Sequence, residues 1–270
     1  MAAASNFLTR LSRKSRRILG LEALRVKIAQ AKQQKILREA VQRIRTFKDL
    51  HKGRRCFVIG SGPSLRIADL ERLKNECTFA SNKIYLCFNE TNWRPTYYVA
   101  EDDRVITHSL EAINKMSGST KLLRILPDVE YRNGSDLVRF EMITPSEADF
   151  PVFREDAAQG LACGYTVTYI ALQWAFYMGF TQVYLLGVDF NYPGMRLCPD
   201  GTAEFAQPGT HFISGYGKPG EKFWAPNFAK NLQAYKLAKT VFERNGLAIY
   251  NATRGGKLEV FERVDFDQLF

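Results

Sequence analysis

Residues 57–65 read Phe-Val-Ile-Gly-Ser-Gly-Pro-Ser-Leu, an apolar run broken by two glycines, a proline and a serine. Gly60 and Gly62 let backbone N–H groups come close to a ligand, and a helix opening after the turn adds partial positive charge. That chemistry suits a phosphate, with Ser61 inside the turn. Ser64 either caps the helix or touches a phosphate oxygen. The stretch lacks the Lys and the spacing of a Walker A loop and is shorter than the full dinucleotide fingerprint.

Further candidates follow apolar runs. Asn82 ends a short one and can read a base, a sugar or a carbonyl through both amide groups. Glu101, Asp102 and Asp103 follow Tyr-Tyr-Val-Ala. They either accept sugar hydroxyls, hold Mg²⁺ for a diphosphate, or cap the next helix. Asp189 follows a fully apolar segment, where a carboxylate is paired, hydrogen-bonded or used by a ligand. Asn191 and Tyr192 come next, and a phenol there can donate to charge developing on a leaving phosphate. His211 sits in Gly-Thr-His-Phe-Ile-Ser-Gly-Tyr. An imidazole in such a loop suits a base that takes a proton from a hydroxyl, with Tyr216 as the next candidate. His51 and His108 lie in charged contexts expected to be exposed. Asn251 ends a late apolar run.

The elements that must position these residues alternate. Strand signals fall at 55–60, 78–81, 96–101, 121–126, 137–143, 182–188 and 247–251. Helical signals fall near 64–75, 105–116, 164–178 and 227–245. Alternation with apolar strands such as Val183–Val188 predicts an α/β, Rossmann-like, largely parallel sheet flanked by helices. Sites on such sheets gather at the C-terminal strand ends, where every candidate above falls except those in the loop. Residues 191–226 are rich in Gly and Pro with little periodicity, which reads as a lid or binding loop.

Charge divides the chain. Residues 1–50 carry 13 Lys and Arg against 3 Asp and Glu, whereas the remaining 220 carry 25 of each. Two domains are expected: a basic amphipathic helical extension over 1–50 and a catalytic domain over 51–270. In the extension Leu21, Leu24, Ile28 and Ala31 form one helical stripe, and Leu37, Val41, Ile44 and Phe47 a second. The stripes pack either on the main domain or another subunit, as in a homo-oligomer, or on an anionic membrane surface. Phe7, Leu8 and the basic cluster 13–17 favour the surface. A neutral body argues against nucleic acid as a partner. No apolar run reaches membrane-spanning length, the N-terminus is too basic for a secretory signal, and five scattered cysteines suggest reduced thiols. The expected location is cytoplasmic, peripheral on the inner membrane face.

Gly-Ser-Gly-Pro-Ser-Leu, Ser81-Asn82-Lys-Ile-Tyr, Met178 to Phe190, His211-Phe-Ile and Ile249-Tyr-Asn-Ala-Thr253 occur in that order. Over about residues 53–270 this resembles bacterial lipooligosaccharide sialyltransferases. It looks closest to the related MptE-like group (6-hydroxymethylpterin diphosphokinase-like), which includes domains of motility-associated flagellin glycosyltransferases. The resemblance implies a nucleotide-sugar site in one Rossmann-like domain, with Gly60, Ser61, Gly62 and Asn82 at the nucleotide and metal-independent, inverting transfer. Those sialyltransferases carry Asn where this chain has Ser61, place Tyr directly after Asp-Phe where Asn191 intervenes here, and have a second loop histidine where Ser214–Tyr216 fall here.

The expected function is therefore sialyltransferase-like glycosyl transfer. A sugar, a nonulosonic or related acid among the candidates, moves from a nucleotide donor to a cell-surface glycan or lipid-linked precursor. No metal or organic cofactor is expected. Two alternatives stay open: diphosphate transfer from ATP to a pterin, which needs Mg²⁺ at Glu101–Asp103, and a non-catalytic sugar-nucleotide-binding scaffold.

Overall fold

The computed structural model describes residues 26–28, 30–192, 194–205, 211–217 and 220–270. Eight strands form its central sheet: β1 (Arg55–Ile59), β2 (Cys77–Ser81), β3 (Tyr97–Ala100), β4 (Thr120–Arg124), β5 (Leu137–Phe140), β8 (Gln182–Leu186), β12 (Ala248–Asn251) and β13 (Glu262–Arg263). Their order is β13-β12-β8-β1-β2-β3-β4-β5, and every neighbouring pair is parallel. The α/β, Rossmann-like expectation holds, and the seven strand signals each fall on a strand of this sheet.

The period-two geometry of a strand sends alternate side chains to opposite faces. Along β1, Cys56 and Val58 join one core and Phe57 and Ile59 the other. The first core lies under α4 (Val167–Tyr177) and α5 (Phe228–Arg244), through Ile170, Trp174, Ala238 and Phe242. The second lies under α2 (Ile67–Arg72), the 3₁₀ segment Asn82–Asn89 and α3 (Asp103–Lys115), through Leu70, Ile84 and Ile113. Helices on both faces explain why the strands are apolar throughout.

Several expectations are corrected here. The helix after the glycine turn starts at Ile67, with Arg66 as its N-cap, and has only six residues. It does not open at Ser64. The N-terminal helix, α1 (residues 30–45), buries Ala40 and Ile44, and Phe47 just beyond it makes edge contacts with Tyr97 and Trp174. Residues 40–47 thus belong to the main core, on the near side of the expected boundary at 50. Ile28 is exposed. Phe7, Leu8, the 13–17 cluster, Leu21 and Leu24 lie outside the described residues. His51 is half-buried: its Nε2 lies 2.6 Å from the Tyr97 hydroxyl and its ring stacks on Phe180.

Residues 191–226 contain a three-stranded antiparallel sheet of β9 (Met195–Leu197), β10 (Thr202–Phe205) and β11 (Lys222–Trp224). A two-stranded parallel pair, β6 (Met142–Ile143) and β7 (Leu161–Ala162), completes the strands. Among the described residues no helix is long and apolar enough to cross a membrane.

Candidate functional site

Strand order reverses at β1, which runs on to β2 in one direction while β8 lies on its other side. The C-terminal crevice at such a switch point is where open α/β sheets bind ligands. A cavity of about 390 Å³ opens there, within the size range of small-molecule sites.

Its floor is the meeting of two turns. The Gly62 N–H donates to the Gly187 carbonyl at 2.9 Å, and the Ser64 hydroxyl donates to Asp189 Oδ2 at 2.8 Å. A Cβ on Gly60 would lie 2.3 Å from the Gly187 oxygen, and one on Gly62 would lie 1.8 Å from Asp189 Oδ2. Both glycines are therefore required for the approach of one turn to the other, before any ligand is considered. Burial raises the Asp189 carboxyl, and its bonds with Ser64 pull the other way.

The late motif braces this turn from behind. The Thr253 hydroxyl accepts the Val188 N–H at 3.1 Å, and the Lys257 N–H donates to the Asp189 carbonyl at 2.8 Å. Asn251, 1% exposed, donates to the Leu258 carbonyl and accepts the Thr253 N–H. The structure places Asn251 and Ser64 outside the cavity lining, with their side chains engaged in holding it. The other predicted residues, Gly60, Ser61, Gly62, Asn82, Glu101, Asp102, Asp189, Asn191, Tyr192, His211 and Tyr216, all line it. So does His108.

Two buried polar atoms stand out beside the floor. Ser61 Oγ and Asn82 Oδ1 are buried, and both side chains meet the Tyr216 hydroxyl. Asn82 also holds a left-handed φ of 54°, fixed by the Tyr98 hydroxyl, which donates to its carbonyl at 2.8 Å.

The loop residues form an aromatic wall. His211 stacks on Tyr216 with ring centres 3.8 Å apart, and Phe205 meets its edge. Burial, with help from the nearby Lys83 charge, lowers His211 to about 4, so it is neutral at pH 7. Burial raises Tyr216, and desolvation likewise raises Tyr192, so both phenols keep their protons and can donate.

The acidic cluster divides three ways. Asp102 caps α3, its side chain accepting the Val105 N–H at 3.0 Å. Asp103 accepts the Trp224 indole N–H at 3.0 Å, a bond that lowers its pKa. Glu101 alone is left for the cavity: it is 9% exposed, and no hydrogen bond or ion pair within the described residues reaches its carboxyl. Burial first, then the Asp102 charge, raise it to about 7 despite Arg124. Two of the three carboxylates that the diphosphokinase alternative would use for Mg²⁺, Asp102 and Asp103, thus accept hydrogen bonds within the domain.

Sequence reasoning missed Lys83, Arg124, Tyr165 and Trp224, which also line the cavity. Lys83 pairs with Glu221 and donates to the Tyr216 carbonyl at 2.9 Å, tying the loop to the 3₁₀ segment. Its place beside Asn82 at a strand end was a usable signal. Trp224 in a polar, glycine-rich loop was another, because an exposed indole is costly without a use.

The family described as 6-hydroxymethylpterin diphosphokinase MptE-like matches residues 31–194. The chain belongs to the MptE-like family. The matched span runs from α1 through β8 to the Asp189–Tyr192 turn, so the MptE-like region supplies the cavity floor. The loop with His211, Tyr216 and Trp224 lies beyond it. No curated protein matches the chain. Among solved structures, the MAf glycosyltransferase from Magnetospirillum magneticum AMB-1 is similar, with a TM-score of 0.50 and 16% identity, over 87% of this chain and 39% of that one. The likeness is one of fold, and this chain spans about two fifths of that protein's length.

Proposed function

We propose that this MptE-like protein is a glycosyltransferase that takes its sugar from a nucleotide-sugar donor. The observation that carries the reading is the cavity at the β1–β8 switch point, floored by the glycine turn and lined by Ser61, Asn82 and Tyr216. A phosphate fits the turn and the polar side chains beside it can meet the hydroxyls and base edge of a nucleotide. The fold shared with a glycosyltransferase supports the choice of reaction.

In this reading the phosphate lies at the Gly60–Gly62 turn. The glycosidic bond to phosphate breaks through an oxocarbenium-like transition state. Protonated Tyr192 and Tyr216 donate to the departing phosphate, doing the work a cation does elsewhere. Transfer is inverting and independent of metal. The acceptor hydroxyl gives its proton to a cavity-lining base. His211, at about 4, is a weak base at neutral pH, while Glu101, at about 7, is matched to it. Glu101 is thus the better proton acceptor and His211 the second candidate. Asn191 and Asp189 border the same space and face the sugar. The donor includes nonulosonic-type acids among its candidates, and the acceptor is a surface glycan or lipid-linked precursor. The basic N-terminal segment brings the protein to the inner membrane face.

The diphosphokinase description of the family supports a second reading, diphosphate transfer from ATP. A thermal-shift screen separates the two. CMP-, UDP-, GDP- and dTDP-linked sugars are compared with ATP, each with Mg²⁺ and with EDTA. A sugar nucleotide at a hundred times its dissociation constant should add about 2.7 kcal/mol of stability in either condition. Stabilisation by ATP with Mg²⁺ alone would favour the second reading.

A further inference from the structure

We propose that Trp224 is the platform on which the base of a bound nucleotide stacks. The inference rests on the reading of the cavity as a nucleotide site and adds to it a residue outside the MptE-like match.

Three tryptophans are present. Trp93 and Trp174 are 1% and 0% exposed, whereas Trp224 is 48% exposed and lines the cavity. Its exposure is not looseness. The indole N–H is bonded to Asp103 at 3.0 Å, and the Arg104 guanidinium carbon lies 4.5 Å from the ring centre. One edge and one face are therefore engaged, while about half of the residue's surface, 48%, stays exposed. Large aromatic surfaces are normally buried, so a ring clamped in an exposed position is preorganised for a flat partner.

Its position matches a base. β1, β2 and β3 are adjacent and parallel, and neighbouring strands are about 4.8 Å apart. The Gly60–Gly62 turn follows β1, Asn82 follows β2, and Asp103 follows β3. Trp224, tethered to Asp103, thus borders the cavity on the β3 side, with the end of β2 between that side and the phosphate turn. Asn82 follows β2 and lines the same cavity, where its amide can meet a ribose hydroxyl or a base edge. Tryptophan stacks on any base through its π-face, so the platform supplies affinity and Asn82 supplies discrimination.

Because the other two indoles are buried, acrylamide-accessible fluorescence of the full chain reports Trp224. Titration with CMP, UMP, GMP, AMP and dTMP is compared with ribose 5-phosphate, pyrophosphate and lactose. At least one nucleoside monophosphate should quench this emission and shield it from acrylamide, while the three base-free probes should not. By calorimetry, Trp224→Ala should weaken that nucleotide roughly 5- to 150-fold, and Trp224→Phe should recover most of the loss. A nucleotide that binds wild type and Trp224→Ala equally overturns the platform and leaves the nucleotide site standing. Quenching by lactose and by no nucleotide overturns it in favour of a sugar subsite. Failure of every nucleotide and sugar nucleotide to bind overturns the platform and the proposed function together.

Discussion

At the residue scale, the contact between Gly62 and Asp189 is both structural and local to the site. A Cβ at position 62 would fall on the Asp189 carboxylate, so Gly62→Ala should destabilise by about 1–3 kcal/mol, the usual cost of overpacking. Removing the carboxylate in Gly62→Ala/Asp189→Ala should recover part of that loss, the Gly187 carbonyl oxygen remaining 2.8 Å from the added Cβ. Urea unfolding of the four proteins in the cycle measures the coupling, and simple additivity would contradict the contact. Glu101 gives a pH test. Its folded pKa, about 7, lies above its ordinary 4.5, so folding favours the protonated form. The stability this contributes is full below pH 4.5 and is lost as pH rises through 7. Relative to Glu101→Gln, wild type should therefore weaken by up to about 3 kcal/mol between those limits. Turnover carries the same signature. If Glu101 is the base, the acid limb of kcat/KM lies near pH 7 and disappears in Glu101→Gln. If His211 is, the limb lies near pH 4, and His211→Ala costs about 10²–10⁴ in rate. From sequence, the types at these positions were legible and their partners were not. Asp189 had to be paired or used, yet only the fold shows that Ser64 pairs it. Asn251 carried the right chemistry at a strand end, but its amide is spent on Leu258 and Thr253.

At the scale of elements, contacts between described residues fasten the loop after β8 to the domain. Among them the Phe212 N–H donates to the Ser61 carbonyl, Lys83 holds Glu221 and the Tyr216 carbonyl, and Trp224 holds Asp103. Lys83 makes its fastening through a long, flexible side chain. Lys83→Met should raise hydrogen exchange across 211–224 and weaken nucleotide binding, with the central sheet's protection unchanged. Unchanged exchange in the flap would show that the other contacts suffice. The parallel strands were legible because burial on both faces leaves continuous apolar runs such as Val183–Leu186. The flap strands were not, because they are only three or four residues long and partly exposed, which removes both length and periodicity. The short α2 was misplaced for a related reason. Ser64 resembles a cap in sequence, but its hydroxyl is already bonded to Asp189.

For the whole molecule, the basic charge and the neutral body sit on opposite sides of a boundary that the core redraws. Ala40, Ile44 and Phe47 are buried in the domain, so the proposed membrane contact is tested with a deletion that ends before them. Deleting residues 1–30 should leave the fold intact and abolish co-sedimentation with anionic liposomes. Binding of the full chain should weaken at high salt, since each basic residue near such a surface contributes about 1 kcal/mol that salt screens. Loss of an oligomer instead of liposome binding would mark the segment as an assembly helix. The central claim concerns the cavity at the β1–β8 switch point and is tested most directly by ³¹P NMR. The full-length protein is incubated in EDTA with CMP-, UDP-, GDP- and dTDP-sugars, and separately with ATP, Mg²⁺ and 6-hydroxymethylpterin. The account predicts release of free nucleotide from at least one sugar donor, with water taking the sugar where no acceptor is added, unaffected by EDTA. Inert sugar nucleotides, together with strictly Mg²⁺-dependent transfer of diphosphate from ATP to the pterin, would contradict it.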